Sequence, residues 1–260
     1  MTRCTGCQSG AALDFEFSMA FQPIVDVAKG QTWGYEALVR GLTGEGAGLV
    51  LSRVSEEQKY RFDQACRVKA IELAARLFPF GEMRHLSINF LPNAVYDPAA
   101  CLRATLAAAK RTGFPSNAIM FEFTENESVR DTAHLQKIIT EYRRQGFITA
   151  IDDFGAGYSG LNLLADFQPD LIKLDMDLIR GIHYSRPRQV LVASLAVAAR
   201  ELGITVLAEG IESPNEVEVL KAAGISLMQG YYFAKPEFER LPRVAGMAEL
   251  PRATHAAYYA

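Results

Sequence analysis

The chain has 260 residues, 49% of them hydrophobic and 22% charged, with a formal net charge of -3. That length suits one large domain, such as an α/β barrel of about 250 residues. The near-balanced charge excludes a general attraction to DNA, RNA or an anionic membrane surface, so any phosphate recognition must be local.

The opening stretch MTRCTGCQSGAALDFEF has no sustained apolar run, so no signal peptide is expected. The longest apolar run, VLVASLAVAA from Val190, falls well short of the roughly 20 residues needed to span a bilayer. A cytoplasmic protein without membrane association is therefore expected. Cys4, Cys7, Cys66 and Cys101 are too few and too scattered for a disulfide scaffold. Cys4 and Cys7 form a C-x-x-C pair, which is half of a zinc or redox site; with no second pair or nearby histidines, it reads as part of a loose N-terminal extension.

Short β-branched or aromatic runs bounded by turn residues predict strands near 17–26, 32–39, 85–90, 118–124, 147–152, 170–174, 204–208 and 226–233. Apolar residues at three-to-four spacing predict helices near 53–78, 98–112, 131–145, 188–202 and 213–223. Asp97-Pro98 and Ser213-Pro214 read as an N-cap followed by proline at the first helical position, and Gly113, Gly146, Gly203 and Gly224 fall just past four helices. Alternation of strands and helices implies crossovers and a mostly parallel sheet. The exception is VAKG, between the first two strands, which is far too short for a parallel crossover. The expected fold is a TIM-like (β/α)8 barrel with the first strand antiparallel. It spans 17–245, between an N-terminal extension at 1–16 and a C-terminal tail at 246–260.

Polar residues collect at the ends of the later strands: Glu36, Asn89, Glu122, Asp152, Asp153, Lys173, Asp175, Glu209 and Gln229. A single acid at a strand end is ordinarily a helix cap or a solvated charge. In a parallel barrel, however, these ends converge on one face, where active sites are built. The resulting ring is rich in oxygen and contains no histidine or cysteine. It therefore suits a hard divalent ion, Mg²⁺ or Mn²⁺, with Ca²⁺ as an inhibitory competitor. The adjacent Asp152 and Asp153 would repel unless cations lay between them, which points to two metals. Lys173 is a surface lysine, pairs with Asp175, or faces the ring, where it is well placed to orient a nucleophilic water. Gly155 and Gly157 suit a tight turn or a mobile loop after Asp153. Arg40, four residues after Glu36, is either a surface residue or a bidentate phosphate contact. The run Tyr231, Tyr232, Phe233 is read as barrel packing rather than base stacking.

FQPIV at 21–25, EALVR at 36–40, SINF at 87–90, FEFTE at 121–125, DDFGAGYSGL at 152–161, IKLD at 172–175, AEGIE at 208–212 and QGYYFAKP at 229–236 occur in this order. Together they resemble the signature of EAL domains, the bacterial cyclic di-GMP phosphodiesterases, from about Phe17 to Leu241. The resemblance implies the same reversed-strand barrel. It also implies that Glu36, Asn89, Glu122, Asp152 and Asp153 are metal ligands. Glu209 would act through water, Lys173 would contact the nucleophilic water, and Gln229 would support the ring and the substrate. Gln22, Leu38 and Arg40 would line the dinucleotide site, and Glu125 would anchor the glycine-containing loop. Ser159-Gly160 stands where the family often has two serines.

The expected function is hydrolysis of cyclic di-GMP to linear 5′-pGpG with two divalent cations, in a protein similar to family members that form homodimers. The alternative is a catalytically weak or inactive cyclic di-GMP receptor acting through a partner. A third reading from general chemistry, an enolase-like barrel with Lys173 as the base, is disfavoured by the doubled aspartate.

Overall fold

The computed structural model describes residues 13–95, 97–124, 132–157 and 160–244. Cys4, Cys7, Glu125, Ser159 and the tail from 246 lie outside the described residues.

Among the described residues, nine strands form the sheet: β1 (Phe17–Asp26), β2 (Gln31–Gly41), β3 (His85–Asn89), β4 (Ile119–Thr124), β5 (Ile148–Phe154), β6 (Leu171–Leu174), β7 (Thr205–Ala208), β8 (Leu227–Met228) and β9 (Glu237–Phe238). Strands β2 to β8 are parallel in sequence order, and β1 closes the barrel by pairing antiparallel with both β2 and β8. The expected (β/α)8 architecture with a reversed first strand is thus borne out. The short turn after Asp26 explains it: Asp26 Oδ1 accepts from the N–H groups of Ala28 and Lys29 at 3.1 and 3.2 Å and folds the chain straight back.

The crossovers carry helices α1 (Lys59–Leu77), α2 (Arg103–Thr112), α3 (Thr132–Arg144), α4 (Gly160–Asp166), α5 (Arg186–Glu201) and α6 (Pro214–Ala222). Asp97 caps the short helix Pro98–Cys101, accepting from Ala100 N, and Ser213 forms a capping box with Glu216 at the start of α6. All four terminating glycines have positive φ, from 72° to 84°.

Some boundaries differ from expectation. Residues 53–58 make turns rather than the first helical turn, with Gln58 Oε1 accepting from Ser55 N at 3.2 Å. The helix expected over 98–112 breaks at Leu102. The strand expected over 226–233 stops at Met228, because Phe233 and Ala234 donate back to the Gly230 carbonyl and form a turn. The short strand β9 then covers the edge of β1 at Ala20 and Phe21.

Side chains alternate between two layers. Phe17, Met19, Phe21, Leu86, Ile88, Phe121 and Phe123 face outward into the main core against the helices. Ile24, Met120, Ala150, Leu171, Leu207 and Leu227 form a separate cluster that plugs the barrel interior. Fully burying one of the larger of these side chains stabilises the fold by about 1.5–3 kcal/mol. Among the described residues, no helix is long and apolar enough to cross a membrane.

Candidate active site

The interior plug positions the site. Two residues beyond each of five plug residues, in the strand or just past its end, stands a polar side chain: Glu122 after Met120, Asp152 after Ala150, Lys173 after Leu171, Glu209 after Leu207 and Gln229 after Leu227. On the reversed β1, Gln22 precedes Ile24 by the same step. Glu36 and Asn89 reach the same end from β2 and β3, which run in register with β4.

Lys173 is the hub. Its Nζ lies 2.8 Å from Glu209 Oε1, 3.0 Å from Asp152 Oδ1, 3.1 Å from Glu122 Oε2 and 3.5 Å from Glu36 Oε2, although the side chain is only 1% exposed. Burial by itself would pull the lysine pKa down. The surrounding carboxylates, Asp152 foremost, outweigh it and hold the group well above the ordinary lysine range. The alternative pairing with Asp175 does not occur: Asp175 accepts from Asp177 N at 2.8 Å and caps the helix Met176–Ile179.

Hydrogen bonds order the rest of the ring. Asn89 Nδ2 donates to Glu36 Oε1 at 3.1 Å and to Glu122 Oε1 at 3.0 Å. Gln229 Nε2 donates to Glu36 Oε2 at 2.7 Å and to Gln22 Oε1 at 3.2 Å. Ser87 Oγ donates to Glu122 Oε2 at 2.5 Å. Ser87 was not singled out from the sequence, yet its position two residues before Asn89 on one strand face was the available signal.

Asp152, Asp153 and Glu209 each offer an oxygen, and the three lie within 4.8 Å of one another. Burial pushes the carboxyls of Glu122 and Glu209 well above the usual range. Asp153 is pushed up to about 6, first by burial and then by Asp152. Glu36 moves the other way: burial is outweighed by Lys173 and by hydrogen bonds, and its pKa falls below the usual range. One ammonium thus pairs with four carboxylates, those of Glu36, Glu122, Asp152 and Glu209, and a fifth, Asp153, stands beside Asp152 and Glu209. Excess negative charge on an all-oxygen donor set fits a hard divalent cation.

The outlying candidates are placed differently. Leu38 lines an apolar cavity of about 310 Å³ with Met19, Phe62, Phe90 and Leu91. Gln22, Glu36, Glu209, Gln229 and Tyr231 instead line a polar pocket of about 190 Å³. Arg40 Nη1 turns back to its neighbour's carbonyl, Val39 O, at 2.7 Å. The packing expected of the aromatic run holds for Phe233, which is 2% exposed. It does not hold for Tyr231, which is 57% exposed at the pocket rim with Lys235 Nζ 5.3 Å from its ring centre.

Two close approaches fix the loops around the ring. A Cβ on Gly230 would lie 2.2 Å from both Ile211 N and Ile211 O, so the turn after Gln229 abuts the loop after Glu209. Gly210 has φ 67°, and a Cβ there would lie 2.4 Å from Met176 Cβ.

The EAL domain family model matches residues 9–236. A standalone versatile EAL protein from Vibrio cholerae O395, solved in its c-di-GMP bound form, is 58% identical with a TM-score of 0.85, covering 90% of this chain and 97% of that one. Klebsiella pneumoniae BlrP1, in a manganese/cy-diGMP complex at pH 9.0, is 38% identical with a TM-score of 0.79, covering 88% and 58%. The blue light- and temperature-regulated antirepressor BluF of Escherichia coli is 32% identical over 226 residues, 87% of this chain and 56% of the relative. A cyclic di-GMP phosphodiesterase of Pseudomonas aeruginosa is 29% identical over 244 residues, 90% of this chain and 41% of the relative. The chain therefore spans about half the length of these two curated relatives, or less.

Proposed function

The chain belongs to the EAL domain family, and from that premise we propose that it is a cyclic di-GMP phosphodiesterase producing linear 5′-pGpG. The observation that carries this reading is the ring of four carboxylates on one buried lysine at the barrel mouth, with Asp153 beside Asp152 and Glu209.

Glu36, Asn89, Glu122, Asp152 and Asp153 would hold two divalent cations, Mg²⁺ or Mn²⁺, with Ca²⁺ as an inhibitory competitor. Such ions, when bound, supply Lewis-acid activation of a nucleophile and neutralise charge on the phosphodiester. Hydrolysis adds the oxygen of water to phosphorus, breaks the bond to the 3′ oxygen and returns a proton to that oxygen. Lys173 can donate to the attacking water or to a phosphoryl oxygen, and its four carboxylate neighbours keep it protonated for that role. Glu209, bonded to Lys173, fixes the direction of the ammonium. Gln22 and Gln229 border the polar pocket and would orient the dinucleotide; Leu38, from the neighbouring apolar cavity, and Arg40 would contact the dinucleotide from the β2 side, with Glu125 anchoring the loop after Asp153. The protein would act in the cytoplasm as a homodimer, which sedimentation at several concentrations checks.

Incubating the purified protein with cyclic di-GMP and Mn²⁺, followed by chromatography, tests the reaction directly. Glu36→Ala should abolish product while the circular dichroism spectrum is retained, and near-native turnover in that variant removes the metal assignment. A second reading has one observation in its favour, the relative named as an antirepressor. Tight binding of cyclic di-GMP without pGpG would assign the chain as a receptor.

A further inference from the structure

Behind β3 and β4 lies a buried ion pair that the proposed reaction does not use. Asp63 and Arg67 are one turn apart on α1 and are 3% and 0% exposed. Arg67 Nη2 sits 2.7 Å from Asp63 Oδ2, and Arg67 Nη1 donates to the Tyr142 hydroxyl of α3 at 2.7 Å. The guanidinium lies 5.4, 5.0 and 5.7 Å from the ring centres of Phe90, Phe121 and Tyr142. The other Asp63 oxygen, Oδ1, accepts the N–H of Leu91 at 3.0 Å.

Stability is a weak reason for this arrangement. Removing two charges from water costs more than their attraction returns unless every remaining hydrogen-bonding group is also satisfied. Arg67 Nε has no acceptor among the described residues. A well-packed apolar pair of the same volume would hold α1 to the barrel as firmly.

What the pair does supply is direction. Phe90 and Leu91 directly follow Asn89, and Phe121 directly precedes Glu122. Strand alternation sends Phe90 and Phe121 outward to Arg67 while Asn89 and Glu122 turn inward to the ring. Phe90 N also donates to the Glu122 carbonyl at 2.9 Å. The outward grip and the inward hydrogen bond are therefore opposite ends of the same few backbone bonds.

We infer that the Asp63–Arg67–Tyr142 relay is a positioning device, by which α1 and α3 hold the ends of β3 and β4 from behind and set where Asn89 and Glu122 stand. Its catalytic consequence rests on the phosphodiesterase reading, but the placement of Asn89 can be observed without it.

The test compares the parent protein with the double variant Asp63→Leu/Arg67→Met and with Tyr142→Phe. Three things are read: the Asn89 side-chain amide resonances of the metal-free ¹⁵N-labelled protein, Mn²⁺ affinity by electron paramagnetic resonance titration, and kcat and KM separately. The double variant should stay folded and melt no lower than the parent, with the Asn89 amide pair moved to solvent-like positions. Its Mn²⁺ affinity and kcat should fall by about 10–100-fold, as when outer partners of metal ligands are lost, with KM changed by less than about threefold. Tyr142→Phe should shift all three in the same direction by less. A folded double variant with parental Asn89 resonances, and with Mn²⁺ affinity and kcat within about twofold, overturns the proposal. If the double variant does not fold, Tyr142→Phe decides alone, and unchanged Asn89 resonances with unchanged kcat overturn it. A parent that neither cleaves cyclic di-GMP nor binds Mn²⁺ sinks the phosphodiesterase reading instead, and the Asn89 resonances still decide the positioning.

Discussion

Asp153 donates its backbone N–H to Asp152 Oδ1 at 3.0 Å from a left-handed φ of 53°. On a regular strand, neighbouring side chains point to opposite faces, so two adjacent aspartates could not both serve one site. Here β5 carries one extra residue against β6: Ile151 pairs with Ile172 and Phe154 with Leu174, three steps against two. The bulge turns Asp153 toward Asp152 and Glu209 instead of into the outer core.

That geometry sets a prediction at position 153. Asn tolerates the left-handed region, so Asp153→Asn should keep the bulge and the metal-free stability while losing most of the stabilisation that Mn²⁺ confers. For the parent that stabilisation is about 2.7 kcal/mol at a Mn²⁺ concentration 100 times its Kd. Asp153→Val adds backbone strain and should cost roughly a further 1–2 kcal/mol. Urea unfolding with and without Mn²⁺ separates the two effects. Equal Mn²⁺ stabilisation of parent and Asp153→Asn would show that Asp153 is no ligand.

Lys173→Met tests the hub. Removing one partner of a buried charge cluster typically costs about 3–5 kcal/mol, because the opposing charge is left uncompensated. The carboxylates left behind can escape that cost by binding protons, and burial already pushes Glu122 and Glu209 upward. A raised folded pKa means stability that is present at low pH and lost as pH rises through it. The stability gap between parent and variant should therefore be larger at pH 8 than at pH 5. Denaturation midpoints at the two pH values check the sign, and a gap that widens toward acid would contradict the cluster as described.

Much of this arrangement was legible in the sequence because one rule generates it. Position at the end of consecutive parallel strands, which converge on one face, placed Glu122, Asp152, Lys173, Glu209 and Gln229 on the barrel mouth. The reversal of β1 was visible in the length of a single turn. Asp175 was misplaced for the same reason, since it stands just beyond a strand end, whereas the chain leaves the strand there and the side chain caps a helix. The bulge at Asp153 has no signature in residue types alone. Asp63 and Arg67 were not singled out, because an i,i+4 acid–base pair on a helix carries no mark of burial in its residue types; only the packing of α1 against β3 and β4 shows that they are buried. The end of β8 was overestimated because tyrosine and phenylalanine favour strands, and the turn that overrides them depends on backbone contact with Ile211.

Glu216 links α6 to the loop carrying Glu209. Its carboxylate is buried and accepts from Gly181 N at 2.8 Å, Glu212 N at 2.8 Å and Ser213 N at 3.0 Å. Burial raises its pKa, but these backbone N–H groups, Gly181 first, outweigh that and leave the group below its ordinary value. A depressed folded pKa contributes stability that is present above the unfolded value and lost as pH falls through the folded one. Glu216→Gln should therefore cost about 1–2 kcal/mol at pH 7, as expected for charge-assisted bonds and a helix cap. The difference from the parent should shrink as pH drops below the usual glutamate range. Urea midpoints at neutral and acid pH decide it, and a constant difference would remove the charge from the explanation.

Gly230→Ala is the most local test of how the mouth is assembled. The added Cβ would meet Ile211 N and O at 2.2 Å, and both atoms are backbone, so no side-chain rotation relieves the clash. The two loops must separate, which breaks the bonds Ile211 N to Gln229 O at 3.1 Å and Tyr232 N to Ile211 O at 2.9 Å. Glu209 and Gln229 immediately precede the separated segments, so the lysine loses a fixed acceptor and Glu36 loses its 2.7 Å donor. Strain and lost bonds together should destabilise the fold by about 1–3 kcal/mol, leaving most of the protein folded at 25 °C. A displacement of about 1 Å at a catalytic group can cost 100-fold in rate, so turnover should fall far more than the folded fraction does. Measuring kcat beside the unfolding free energy distinguishes the two effects. Loss of activity in simple proportion to loss of folded protein would mean that the contact only stabilises the barrel and does not hold the ring in register.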